Sequence, residues 1–152
     1  MNVVIDASGL VLGRMSSYAA KHALRGNTVV IVNAEKAVVV GKPDIILAKN
    51  LKKLDIKNMA SLNVGPYHHK RPDKFVRRSV RGMLPYVNPR GREAYKRVMA
   101  YMGAPADEIK RLQGVDIGKE KKADLKNLRN TGDSYLTVGE ISRFIGGKWQ
   151  VK

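Results

Sequence analysis

The 152-residue chain contains no cysteine. That absence excludes a disulfide scaffold, cysteine-ligated zinc, iron–sulfur clusters and thiol catalysis, and it suits a reducing compartment. No apolar run approaches the roughly 18 to 20 residues that a membrane-spanning helix needs. The opening MNVVIDASG has no basic stretch followed by an apolar one, so no secretory signal is expected. Acids are scarce: 13 Asp plus Glu stand against 29 Lys plus Arg, a formal net charge of +16. An excess of that size calls for a polyanionic partner, either nucleic acid or an anionic membrane surface. Hydrophobic residues make up 43 % of the chain, close to the globular norm and too many for a disordered basic tail. The length fits a single domain, 1–152, with a core large enough to fold without staples.

Several stretches have a clear local pattern. Asn2–Asp6 reads as a short buried strand, and a Ser8-Gly9 turn leads into a helix from about Leu10 to Leu24. On that helix Met15, Tyr18, Ala19, His22 and Ala23 share one face, and Arg25-Gly26-Asn27 ends it with a cation and then a glycine. Thr28–Val32 is a second β-branched strand, completing a βαβ unit with parallel strands. Ala37–Val40 is strand-like, but its link to the second strand is too short for a parallel crossover, so its pairing stays open. Pro43-Asp44 opens a second helix with Leu47, Leu51 and Leu54 on one side and lysines on the other. A polar loop over residues 58–72, helices over Asp73–Gly82 and from Arg90, a strand over Val98–Met102, a charged stretch Lys119–Arg129 and a helix over Val138–Ile145 complete an α/β chain.

The positive charge is concentrated. Lys70, Arg71, Lys74, Arg77, Arg78, Arg81, Arg90, Arg92, Lys96 and Arg97 fall in one segment with only Asp73 and Glu93, so this segment carries +8 of the +16. Lys74, Arg77, Arg78 and Arg81 recur at helical spacing and form one stripe, while Phe75, Val76, Ser79, Val80 and Met83 face the other way, toward a core. A single-signed stripe repels itself by a few tenths of a kcal/mol per like-charge pair. A polyanion removes that repulsion and releases counterions. The alternative, a solvated surface helix, would normally intersperse acids. Arginine outnumbers lysine in the segment by seven to three, which suits bidentate phosphate contacts. Tyr67, Tyr86 and Tyr95 lie among these cations and can either stack on unpaired bases or pack half-buried, the role favoured here. Arg14, Lys21 and Arg25 suggest a second stripe on the first helix. A membrane surface is the weaker partner, because the large apolar residues it would take up are wanted for the core.

Catalytic and cofactor signatures are incomplete. Gly9 and Gly13 lack the third glycine of a dinucleotide fingerprint, although Glu35 stands roughly where a ribose-binding acid would. Gly41-Lys42-Pro43 lacks both the upstream glycine and the Ser/Thr of a phosphate-binding loop. His22 reads as a satisfied core histidine. His68 and His69 could serve as a base at a scissile phosphate, but the acids are too scattered for a metal cluster. No cofactor, metal or small-molecule substrate is expected.

Three stretches together resemble the large-subunit ribosomal protein thirteen family: VVIDASGLVLGRMSSYAAKHALRGNTVVIVNAEKAVVVGKP, HHKRPDKFVRRSVRGMLP and NPRGREAYKRVMAYMGAP, spanning about Val3 to Pro105. Bacterial members of that family carry an insertion where this chain has only Arg25-Gly26-Asn27, so the resemblance is to the archaeal type. It implies a three-layer α/β/α fold with a central, mostly parallel four-stranded sheet and a basic loop-plus-helix surface. On this chain that means a core of about 1–105 carrying an RNA-binding segment 67–97, with a charged C-terminal extension of about 106–152. The implied activity is not enzymatic. Such a protein would be a cytoplasmic structural constituent of the large ribosomal subunit, binding 23S-type ribosomal RNA, supporting its folding and touching neighbouring ribosomal proteins. The implied contacts are the Tyr67–Arg81 loop and helix, which includes His68 and His69, and the Pro89–Arg97 segment. A regulatory or processing RNA-binding protein acting off the ribosome is the alternative.

Overall fold

A computed structural model describes residues 1–56, 58, 60, 64–116, 132 and 134–150. The charged stretch Lys119–Arg129 lies outside the described residues, as do parts of the 58–72 loop. The elements in chain order are β1 (Asn2–Asp6), α1 (Leu12–Leu24), β2 (Thr28–Val32), a 3-10 turn (Ala34–Lys36), β3 (Val38–Val40) and α2 (Pro43–Asp55). They continue with α3 (Pro72–Gly82), α4 (Pro89–Lys96), β4 (Val98–Ala100), α5 (Ala106–Gln113), β5 (Tyr135–Thr137) and α6 (Val138–Phe144).

The expected βαβ unit is present, with β1 parallel to β2 and β4 parallel to β2 on its other side. Val3, Val29 and Val98 stand in one row across the three strands, and Val4, Val30 and Met99 in the next. Because side chains alternate along a strand, these rows face opposite ways. Ile5, Val29, Ile31 and Val98 join Met15, Ala19 and Ala23 of α1, Val76 and Val80 of α3, Ala94 of α4 and Val138 of α6 in the larger core. Val4, Val30, Val32 and Tyr101 face the other way and meet Ile109 of α5 and Val115.

Four strands were expected in the sheet; among the described residues it has three. Five residues separate Val32 from Val38, and a parallel neighbour needs a crossover of a dozen or more. The chain turns away instead through Asn33, in left-handed conformation at φ 54°, and the 3-10 turn. β3 then pairs antiparallel with β5, Val38 opposite Thr137, and touches the Leu10–Val11 region through a single bridge from Val11 to Val38.

Other differences are local. α1 begins two residues later than expected, because Leu10 is buried and Val11 is taken by the bridge to Val38. On α2, Leu51 is 42 % exposed and Ile46 is the buried residue, because the helix packs mainly on α6 and β5 rather than on the central core. Met83, expected among the docking residues of α3, sits past the last turn, half in solvent, with its sulfur accepting from Ser17 Oγ at 3.2 Å. α5 was not anticipated, since only Ile109 on it is buried. Its end signals are nonetheless written in the chain: Pro105, then Asp107 and Glu108, then Lys110 and Arg111, then Gly114 at φ 64°.

Candidate nucleic-acid interface

Pro72 and Pro89, each a first-turn residue, start α3 and α4, which the Met83–Asn88 turn joins and α1 supports. Gly91 makes a close approach of α4 to that turn possible. A Cβ there would overlap the Pro85 carbonyl, so the Arg-Gly-Arg step at the start of α4 is a packing requirement. Val76 and Val80 anchor α3 in the larger core, which turns the opposite face, with its cations, toward solvent.

The expected cations then divide into two groups. Lys74, Arg78, Arg81, Arg90, Arg92 and Lys96 are exposed, as are Lys70 and Arg71 before α3. Arg77 and Arg97 instead lie partly buried and serve the fold. Arg77 Nε donates to the Val98 carbonyl at 2.9 Å, and Arg97 reaches the Ala23 carbonyl at 3.4 Å and Glu93 at 3.8 Å. The i,i+4 spacing could not separate Arg77 from Arg78, because α3 borders β4 on one side only. Arg71 pairs with Asp73 at 3.1 Å, and Arg92 donates to the Val87 carbonyl at 2.9 Å. On α1, Arg14, Lys21 and Arg25 are exposed.

Of the three tyrosines among these cations, Tyr86 and Tyr95 are half-buried and act on the protein itself, whereas Tyr67 is not half-buried as expected. The Arg77 guanidinium lies 4.6 Å above the Tyr95 ring and the Arg81 guanidinium 4.0 Å above the Tyr86 ring. Tyr86 and Tyr95 meet edge to face at 5.4 Å. This alternating stack holds Arg81 in place before any ligand arrives, which lowers the entropy lost when it takes a phosphate. Tyr67 is 64 % exposed, and its carbonyl accepts from Arg78 Nη1 at 3.4 Å.

The loop before α3 is held from the C-terminal side. Ser142 Oγ of α6 donates to the Lys70 carbonyl, and Gly147 lies so close that a Cβ would stand 2.7 Å from the same oxygen. His69 is exposed, and its imidazole is held below its ordinary value by desolvation first and then by Lys74, Arg78 and Arg81. His68 is half-buried and, with His69, forms a wall of a cleft of about 270 Å³ between α2 and α3. Lys53 of α2 stands at that cleft opposite Arg78. The lysine side of α2 was visible in the sequence, but its position across the cleft from α3 depends on contacts to α6.

The remaining candidates are absorbed by the fold. Glu35 is buried and its carboxylate accepts from the Gly103 amide at 3.1 Å, tying the turn after β2 to the end of β4. Asp6 Oδ1 accepts from Ser8 and from Asn33 Nδ2 at 2.9 Å. The carboxyl ends of β1 and β2 are therefore cross-linked by the chain's own groups. His22 is half-buried, 4.4 Å from the Tyr18 ring, with Nδ1 3.3 Å from Asn27 Nδ2. A depression of about 780 Å³ runs along Met99–Met102 of the β4 edge, where Asp73 and Glu108 balance Arg71 and Lys148, so it lacks the single-signed lining of the α3 surface.

A fixed surface of exposed arginine and lysine, with two acids in the segment and aromatic supports beneath it, is suited to a polyanion. Comparison with known proteins identifies the family. The model of ribosomal protein L13 matches residues 1–107. The chain belongs to the ribosomal protein L13 family. It is 43 % identical over 143 residues to the large ribosomal subunit protein uL13 of Archaeoglobus fulgidus, covering 94 % of this chain and 86 % of that protein. It is 40 % identical over 148 residues to the uL13 of Methanococcus maripaludis, covering 97 % and 99 % respectively. It is 39 % identical over 146 residues to that of Haloarcula marismortui, covering 95 % and 91 %. These archaeal relatives agree with the archaeal type to which the short Arg25–Asn27 turn points. Alignment over nearly the whole chain extends the relationship past residue 107, to the part that contains α6 and β5.

Proposed function

We propose that this chain is a structural constituent of the large ribosomal subunit, located in the cytoplasm, that binds large-subunit ribosomal RNA and holds it folded beside neighbouring ribosomal proteins. Family membership supports a structural role rather than a catalytic one. The observation that carries the RNA reading is the exposed set Lys74, Arg78, Arg81, Arg90, Arg92 and Lys96 on the consecutive helices α3 and α4, joined by Lys70 and Arg71. Arg14, Lys21 and Arg25 extend it on α1, which packs against α3 and α4. Arg77 and Arg97 contribute to the potential of this surface while fixing its geometry.

The mechanism is physical. Cations held on rigid helices offset phosphate repulsion where RNA segments pack closely, and the condensed counterions they release drive binding. Shape and backbone contacts dominate, because the A-form major groove excludes side chains. A three-layer α/β/α arrangement, with the basic helices α3 and α4 on one side of the sheet and α5 on the other, lets one face meet RNA and leaves the other for protein neighbours. The chain acts as one unit, 1–152, since β5 and α6 pack on β3 and the larger core.

Sedimentation of the native protein from lysate through a high-salt wash tests this reading. Stoichiometric retention on the large subunit is the expected result. Recovery as free protein or on light RNA particles would reassign it to regulation or RNA processing.

A further inference from the structure

The cleft between α2 and α3 is not needed for a purely electrostatic surface, yet it is shaped and charged as a site. Leu54, Phe75 and Ile145 supply its apolar lining, so the floor comes from α2, α3 and the end of α6. Lys53 and Arg78 stand at its edge from opposite helices, with His68 and His69 completing the wall. No acid lines it among the described residues. Its volume of about 270 Å³ lies just under the range that accommodates drug-sized ligands, which is the scale of a single planar heterocycle. His68 adds an independent sign: its Nε2 is buried and forms no hydrogen bond among the described residues. A ring nitrogen left in that state is a cost that a polar base edge removes once the ring turns to meet it.

We propose that this cleft receives one unstacked nucleobase of the bound RNA, with Phe75 against the base and Lys53 and Arg78 on the flanking phosphates. The proposal rests on the RNA-binding reading above and deepens it: the protein takes a bulged or single-stranded nucleotide, not only a duplex backbone. A paired base cannot enter, because its face is stacked and its edge is engaged. An aromatic surface accepts any base with little sequence preference. Lys53 also brings α2 into the interface, beyond the 67–97 segment.

The test uses the full chain and three RNAs: large-subunit ribosomal RNA, a short single strand of uridine, and a duplex of equal length. The chain has three histidines, so ring signals of His22, His68 and His69 can be assigned by single substitutions and followed by NMR. The single strand is expected to move the His68 and His69 signals and leave His22 in place, while the duplex leaves His68 in place. Phe75→Leu should weaken single-strand binding about five- to tenfold, within the range for loss of one base–aromatic stack. Lys53→Gln, at an exposed position, should lower the single-strand salt slope by about 0.7 and the duplex slope by less. If ribosomal RNA binds with its full salt slope but His68 stays still and neither variant affects the single strand, the cleft proposal is overturned and the surface reading stands. If ribosomal RNA does not bind at all, both fall.

Discussion

Replacing Arg77 with Gln and, separately, Arg78 with Gln should produce opposite phenotypes from adjacent positions. Arg77 donates to the Val98 carbonyl at 2.9 Å and covers the Tyr95 ring at 4.6 Å. Val98 is fully buried on the outer strand of the sheet, so losing that donor exposes an edge carbonyl with no protein partner in its place. A hydrogen bond from a charged donor contributes about 1.5–3 kcal/mol and an arginine–aromatic contact about 0.5–1 kcal/mol. Arg77 keeps partial access to water, so the sum is discounted to about 1.5–3 kcal/mol. For a chain of this size that is a fall in Tm of about 4–10 °C. Arg78 is exposed, and its contact with the Tyr67 carbonyl is long, at 3.4 Å. Arg78→Gln should leave stability within about 0.5 kcal/mol. Its effect appears in binding, where the loss of one phosphate contact lowers the slope of log K against log salt by about 0.7–0.9. Thermal melts by circular dichroism and filter binding to large-subunit ribosomal RNA across a salt series measure both quantities. Equal melting temperatures for the two variants, or a larger slope change for Arg77→Gln than for Arg78→Gln, would refute the division of labour.

Four further outcomes follow from other contacts in the fold. His69 is held toward its neutral form by desolvation and by Lys74, Arg78 and Arg81, and RNA phosphates would reverse that bias. Binding should therefore take up protons and tighten as pH falls through and below the ordinary imidazole value, and isothermal titration in buffers of different ionisation enthalpy should lose this proton uptake in His69→Gln. Gly91→Ala places a methyl group on the Pro85 carbonyl and should cost about 1–3 kcal/mol in urea unfolding; an unchanged midpoint would mean the α3–α4 turn is looser than described. Thr137→Ala removes the hydroxyl that accepts from the Glu140 amide and should cost about 1 kcal/mol. Glu140 is held below the ordinary carboxylate range by the Thr137 amide and hydroxyl, so its contribution is present above that range and fades as pH falls through it. Glu140→Gln should flatten that acid limb of the stability curve.

What could be read from local pattern was read correctly where one segment specifies its own structure. Val3-Val4-Ile5 and Val29-Val30-Ile31 have the β-branched runs of strands buried on both faces, and both faces of the sheet are covered. Val76 and Val80 mark the inner side of α3, and Lys74, Arg78 and Arg81 fall on the outer side, since helical periodicity is a property of the segment alone. The basic surface was legible for the same reason. The partner of β3 was not, because Tyr135–Thr137 lies some hundred residues away and three-residue strands carry no signal of which edge they will meet. Nor could spacing tell that Arg77 turns inward to Val98 while Arg78 remains in solvent, or that Lys53 and Arg78 come to line one cleft together with Ile145. Those outcomes depend on which helix packs beside which strand, and that is decided when distant apolar faces are buried against one another, at the scale of the whole core.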